Sequence, residues 1–289
     1  PSYFDRDLEL VRLQPAHFGL SVSGTVLLAV ESEFGVPGTG AKVETTFREP
    51  GGAVTGSLLP MGEPITTFED DGRTIEASVV DSATLGVTFR AADLGLSGTE
   101  LPDDLAADDD LLATIETVRD RIRADLGLEH AQRSNPSAAV VSGPQSYDCS
   151  VERRVAADET DVTARFFSLQ PHHAISLTGG MSLATATRIP GTIPNELVRS
   201  TEGPDVTIGH PKGTITLGTD VSPGDPPHVE GVTYGRTMCP VFDGRVYYRY
   251  RDGLEALREV RPRCPSSGGS VDRSIDARAG PLEVTPRGR

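Results

Sequence analysis

Lysine is almost missing from this chain. Lys42 and Lys212 are its only two, so nearly all of the 27 basic residues are arginine, set against 42 acidic ones and leaving a formal net charge of −15. A field of that sign repels nucleic acid and anionic lipid, which removes both from the expected partners. An acidic surface poor in lysine also suits a cytoplasm rich in salt, where screening damps self-repulsion. Cysteine is scarce as well: Cys149, Cys239 and Cys264 make an odd count with no CxxC spacing. Neither a disulfide framework nor a zinc site is expected, and no other metal site either. No apolar run approaches the roughly 18 residues that a membrane span needs, so no membrane partner is expected. The opening Pro1-Ser2-Tyr3-Phe4-Asp5-Arg6 lacks the basic-then-apolar pattern of a secretion signal, and the expected location is the cytoplasm.

At 289 residues the chain can bury two cores of ordinary size, and the expectation is two lobes. After the turn Val36-Pro37-Gly38-Thr39-Gly40, the alternation from Ala41 to Phe47 predicts a half-buried strand. Glu49-Pro50-Gly51-Gly52 is a turn, and further strands are expected over Val54 to Leu59, Ile75 to Asp81 and Gly86 to Arg90. Leu111, Leu112, Ile115, Val118, Ile122 and Leu126 recur at helical spacing behind an acidic first turn, with Gly127 placed to stop the helix. That connector ends a first lobe over 1–128. A strand at Ala138 to Val141 enters a second lobe over 129–251, with strands at Val162 to Leu169, Asp205 to Ile208 and Thr214 to Leu217, and a helix over Met181 to Arg188. Asp243-Gly244 is a hairpin signal. Beyond it, 252–289 begins with a short helical stretch and continues as a Gly, Pro, Ser and Arg-rich tail expected to be mostly disordered.

Chemistry concentrates in two places. Small residues precede a helix in Thr178-Gly179-Gly180-Met181-Ser182, where a glycine pair lets backbone amides converge and the helix start adds unpaired N–H groups. Such a terminus can trap a carboxylate; the plainer alternative is an N-capping Thr178 and a tight turn. His172 and His173 stand just upstream, and in an extended segment only one of them would face a given pocket. The second place is the Gly-bounded turn Ile208-Gly209-His210-Pro211-Lys212-Gly213, either a solvated hairpin tip or an imidazole and ammonium pair aimed at an anion.

Taken in order, these stretches resemble the PrpF family, whose founding activity is cis-trans isomerisation of 2-methylaconitate. The residues that carry the resemblance are Gly35 to Ala41, Pro50 to Gly62, Asp81 through Ala91-Ala92-Asp93-Leu94-Gly95 to Pro102, His172-His173-Ala174, Thr178-Gly179-Gly180, Arg188-Ile189-Pro190-Gly191-Thr192-Ile193, Ile208-Gly209-His210-Pro211, and Arg236-Thr237 before Gly244, over roughly 18–250. The resemblance implies an α/β (α+β) fold of the diaminopimelate epimerase type: two lobes, each a curved mixed sheet around a central helix, here with the first lobe incomplete. It implies an isomerase of unsaturated di- and tricarboxylates that removes a proton beside a conjugated double bond and returns it, with no cofactor. The partner would be a small polycarboxylate, with a homo-oligomer left open. The family's first helix starts with a Cys-Gly-Asn motif, whose best match is Ser23-Gly24-Thr25, and its early RGGTSKG-type motif has no counterpart here. Ser23 thus stands where the acid/base would be, with Gly24, Thr25, His173, Thr178, Gly179, Gly180, Met181, Ser182, His210 and Lys212 as substrate-binding candidates. An inactive remnant that at most binds polycarboxylates is the alternative.

Overall fold

The computed structural model of the chain describes residues 11–13, 21–31 and 40–238, apart from 71, 152, 225 and 226. The Asp243-Gly244 hairpin, the helical stretch after 252 and the tail lie outside the described residues. In chain order the elements are β1 (Val11–Leu13), β2 (Ser21–Glu31), β3 (Gly40–Arg48), β4 (Thr66–Asp70), β5 (Arg73–Ser82), β6 (Thr84–Arg90), α1 (Pro102–Ala106) and α2 (Asp109–Asp125). They continue with β7 (Ser137–Ser142), β8 (Tyr147–Asp148), β9 (Arg154–Val155), β10 (Val162–Phe167), α3 (Leu177–Ala186), α4 (Ile193–Leu197), β11 (Asp205–His210), β12 (Gly213–Ser222) and β13 (His228–Met238).

Eleven of these strands form one sheet in the order β1-β2-β3-β13-β12-β11-β10-β7-β6-β5-β4. It is mixed, because β6 with β7 and β10 with β11 run parallel while the other neighbours are antiparallel. Strand alternation assigns its two faces. Val162, Ala164 and Phe166 of β10 pack with Leu183 and Ala184 of α3, whereas Phe167 joins Val87, Phe89, Ala138 and Val140 against Leu111, Ile115, Val118 and Ile122 of α2. Helix α3 touches β5 and β6 on one side and β12 and β13 on the other. Seven strands laid flat would span about 30 Å, nearly three times a helix diameter, so contact with both ends requires the sheet to curl around α3. A large mixed sheet with helices packed on it matches the expected α/β class.

Gly86 to Arg90 of β6 pair with Ser137 to Val141 of β7, so strands on both sides of residue 128 belong to one sheet. The strands before the connector therefore share the wrapping of α3 with those after it. Local strand patterns could not show this, because the pairing joins segments separated by the whole of α2. The strand expected over Val54 to Leu59 is a run of turns. The buried Asp81 side chain supplies the reason: its Oδ2 accepts from Val54 N–H, Thr55 N–H and the Thr55 hydroxyl, taking amides that a neighbouring strand would otherwise use.

Helix α2 matches its sequence pattern closely, with Asp108 accepting from Leu111 N–H at 2.9 Å as the cap and Gly127 at φ +67° beyond its end. It also carries a long-range clamp. Arg119, 2% exposed, donates to the carbonyls of Phe167 and Ser168, where β10 gives way to the loop before α3. Arg119→Met is expected to cost about 2–3 kcal/mol, because a buried and a half-buried carbonyl lose a charged donor. Urea unfolding would show this as a lower midpoint; an unchanged midpoint would mean that the clamp contributes nothing.

Candidate functional site

Helix α3 begins at Leu177, four residues before the Met181 expected from sequence, and this relocates the open donors. Gly180 N–H is already taken by Ser176 O at 2.7 Å, and the amides of Met181 and Ser182 lie deeper in the helix. The amides of Leu177, Thr178 and Gly179 are the ones with no acceptor among the described residues. Ser176 holds the N-cap position, yet its hydroxyl makes no capping bond. A helix start whose own cap leaves the first amides open is available to an external carboxylate, and the dipole favours its charge.

Several candidates move out of this set. Met181 is fully buried in the core, and Ser182, 3% exposed, donates its hydroxyl to Val80 O at 2.9 Å. Ser182 faces β5 and β6, and Met181 packs with Val80 of β5 and Val229 and Val232 of β13. The glycine pair has a packing role in place of the expected ligand access. An ideal Cβ on Gly179 would lie 2.7 Å from Ser137 Oγ, and one on Gly180 would lie 2.8 Å from Ile175 Cδ1, so both positions press the helix onto its surroundings. Thr178 remains half-buried at the helix start, with no side-chain bond among the described residues. Ser23, Gly24 and Thr25 sit in the middle of β2, where Ser23 is opposite Thr46 and Arg12, and not at the head of a helix. Motif matching placed a helix there; the β-branched, alternating start of that segment favours a strand.

Of the two adjacent histidines, His173 is exposed and His172 is half-buried. His172 was not among the binding candidates. Its backbone N–H donates to Phe166 O at 2.7 Å, and its Nδ1 accepts from Ala174 N–H at 3.1 Å. Burial, then neighbouring His173 and Lys212, hold its pKa below the usual imidazole value. The sequence clue was Ala174, two residues on, which allows an Asx-like ring-to-amide closure. Choosing between the histidines required the loop conformation.

The turn carrying His210 and Lys212 is braced, not a solvated tip. Tyr147 Oη donates to His210 O at 3.1 Å and Gly213 O at 2.7 Å, while Ser150 N–H donates to Pro211 O at 2.8 Å. His210, 5% exposed, accepts from Lys212 N–H through Nδ1 at 3.3 Å. Burial pushes its pKa down to about 4, helped by nearby Arg165, Arg236 and His172 and opposed by the Thr214 carbonyl. His210 is therefore neutral at pH 7, so Lys212 alone supplies positive charge in the expected imidazole and ammonium pair. Around the neutral His210, the charges that lower its pKa are those of Arg165 and Arg236, in a chain of net charge −15. A groove of about 690 Å³ on β12, β13 and β3 is lined by Glu44, Asp205, Asp220 and Glu230 with Arg48, a lining that disfavours a carboxylate. Among the described residues no cluster of His, Cys, Asp or Glu is arranged to hold a metal ion, and no helix is long and apolar enough to cross a membrane.

A family model described as PrpF protein matches residues 22–249. The chain is 34% identical over 223 residues to the 3-methylitaconate isomerase of Eubacterium barkeri, covering 74% of this chain and 58% of that relative. It is 33% identical over 195 residues to the 2-methyl-aconitate isomerase of Shewanella oneidensis, covering 64% and 49% respectively. The chain thus spans about half the length of these curated relatives. Among solved structures, a methylitaconate-delta-isomerase superposes with a TM-score of 0.71 at 27% identity, covering 82% of this chain and 66% of that one.

Proposed function

This chain belongs to the PrpF family, and from that premise we propose that it is an isomerase of unsaturated di- and tricarboxylates which holds a substrate carboxylate at the start of α3. The supporting observation is the uncapped helix start, with the amides of Leu177, Thr178 and Gly179 open among the described residues. The relatives' names supply the substrate class: methylitaconate and 2-methylaconitate are unsaturated carboxylates. Removing a proton beside a double bond conjugated with carboxylates leaves a delocalised carbanion. Returning the proton to the same or another carbon completes the isomerisation with no change in composition and no demand for a cofactor. Fixed donors at the carboxylate stabilise the charge that develops there, and helix-terminal amides need no reorganisation to do so.

A second reading, binding with little turnover, is favoured by the serines. Ser182 is buried against Val80 O and Ser23 lies within a strand, so neither is placed as an acid or base at this helix start. The site itself is tested by calorimetric titration with trans-aconitate. Saturable binding that weakens with salt is expected, since the contact is ionic. Lys212→Ala should weaken it only about twofold to fivefold, as a half-exposed, screened cation contributes little. Complete loss in that variant would make the charged turn the site in place of the helix start.

A further inference from the structure

We propose that the chain holds one small inorganic anion of chloride size on the sheet face away from α3, between the Arg165 guanidinium and the hydroxyls of Ser142 and Thr163. This site lies outside the helix-start reading and does not depend on it. Thr163 and Arg165 alternate along β10 with Val162, Ala164 and Phe166, the residues that pack with α3, and so face the other way.

Arg165 is 1% exposed, yet no carboxylate pairs with it among the described residues. Its Nε donates to Glu100 O at 2.6 Å and its Nη1 to Ala164 O at 2.9 Å, while the Tyr147 ring lies against the guanidinium at 4.9 Å. Nη2 has no hydrogen-bond partner. A buried cation calls for a counter-charge. The acidic groups close enough to favour its charge are Tyr147, Glu100 and Cys149. The Glu100 carboxylate is already taken by the amides of Ser97 and Gly98 and the Ser97 hydroxyl. Burial pushes the Tyr147 phenol and the Cys149 thiol up, so both are uncharged at pH 7.

Two more donors are open beside this cation. The hydroxyls of Ser142 and Thr163 are buried without partners, and these residues are directly opposite each other across β7 and β10. Opposed Cβ atoms lie about 5 Å apart, close enough for both hydroxyls to meet one ion. The turn above them brings the guanidinium to the same place. A Cβ on Gly98 would collide with Ser142 Oγ, and Glu100, two residues on, holds Arg165 Nε. A water molecule could satisfy these hydrogen bonds but would leave the charge unbalanced, whereas an anion answers both needs.

Chloride is the probe, exchanged for gluconate at constant ionic strength. A ligand bound only by the folded chain stabilises it, so the parent's thermal midpoint is expected to rise by about 3–5 °C for each tenfold increase in chloride above its dissociation constant. Ser142→Ala should move the onset of that rise to about threefold to tenfold more chloride. Arg165→Met, which removes the charge and keeps the bulk, should make the midpoint indifferent to the anion. Crystals of the parent grown in bromide need no variant, and should give an anomalous peak between Arg165 Nη2, Ser142 Oγ and Thr163 Oγ1. Equal parent midpoints in chloride and gluconate, an unchanged chloride response in Arg165→Met, or a water in place of the bromide peak would each overturn the inference.

Discussion

Turnover of 2-methylaconitate or aconitate by this chain is expected to be very slow or undetectable, and Ser23→Cys is expected not to restore it. A positioned acid/base contributes about 10²- to 10⁴-fold to such proton transfers. A serine hydroxyl is a far poorer base than a thiol whose pKa is near ~8.5, and a thiol gains reactivity from a helix N-terminus or a neighbouring cation. Position 23 has no helix start to lend it: β2 is extended there, and Ser23 is registered between Arg12 and Thr46 in the ladder. Following the loss of absorbance or the proton signals of the substrate would decide the point. Robust turnover by the unmodified chain would show that another group performs the proton transfer, and recovery in Ser23→Cys would show that residue 23 reaches the substrate after all.

The second large effect concerns Gly179. Replacing glycine by alanine inside a helix ordinarily stabilises by about 0.8–1.0 kcal/mol. Here the added Cβ would lie 2.7 Å from Ser137 Oγ on β7 and 3.3 Å from both the Phe166 ring and Ser176 Cβ. Gly179→Ala is therefore expected to destabilise in spite of propensity, and Gly179→Val to cost about 1–3 kcal/mol through overpacking. Combining Gly179→Ala with Ser137→Ala removes the close atom and should recover most of the loss, a coupling that a double-mutant cycle reads directly in denaturant unfolding. A stabilising Gly179→Ala would contradict this packing role and return the glycine to the ligand-access role expected from sequence.

What could be read from the sequence divides along physical lines. Helix α2 was legible because its apolar residues lie on one face and its ends carry Asp108 and Gly127, all local signals. The strands containing Ile75 to Asp81 and Gly86 to Arg90 were legible for the same reason. Helix α3 was legible as a helix but not at its start: Gly179 through Ala186 are all buried, so no polar face marks where the helix begins. A start read at Met181 put the expected donors at Gly179–Ser182, whereas the first amides of the helix are those of Leu177–Gly179. Alternation in an extended segment could not choose between His172 and His173, because the loop conformation folds the His172 ring back onto Ala174 N–H. The neutral state of His210 depends on burial by partners distant in sequence, among them Arg165, and no local pattern contains that. Family motifs drew attention to Thr178 and Gly179, which lie in the first turn of α3, and to Ser23, which lies within β2 and not at a helix start.

The central claim is that a substrate carboxylate is held by the amides at the start of α3. Backbone amide NMR during titration of the chain with trans-aconitate tests it most directly. The account predicts saturable shifts largest at Leu177, Thr178 and Gly179, with Gly180, Met181 and Ser182 much less affected because their N–H groups are bonded within the helix. Saturable binding that leaves Leu177 to Gly179 unmoved, with the shifts concentrated elsewhere, would contradict it.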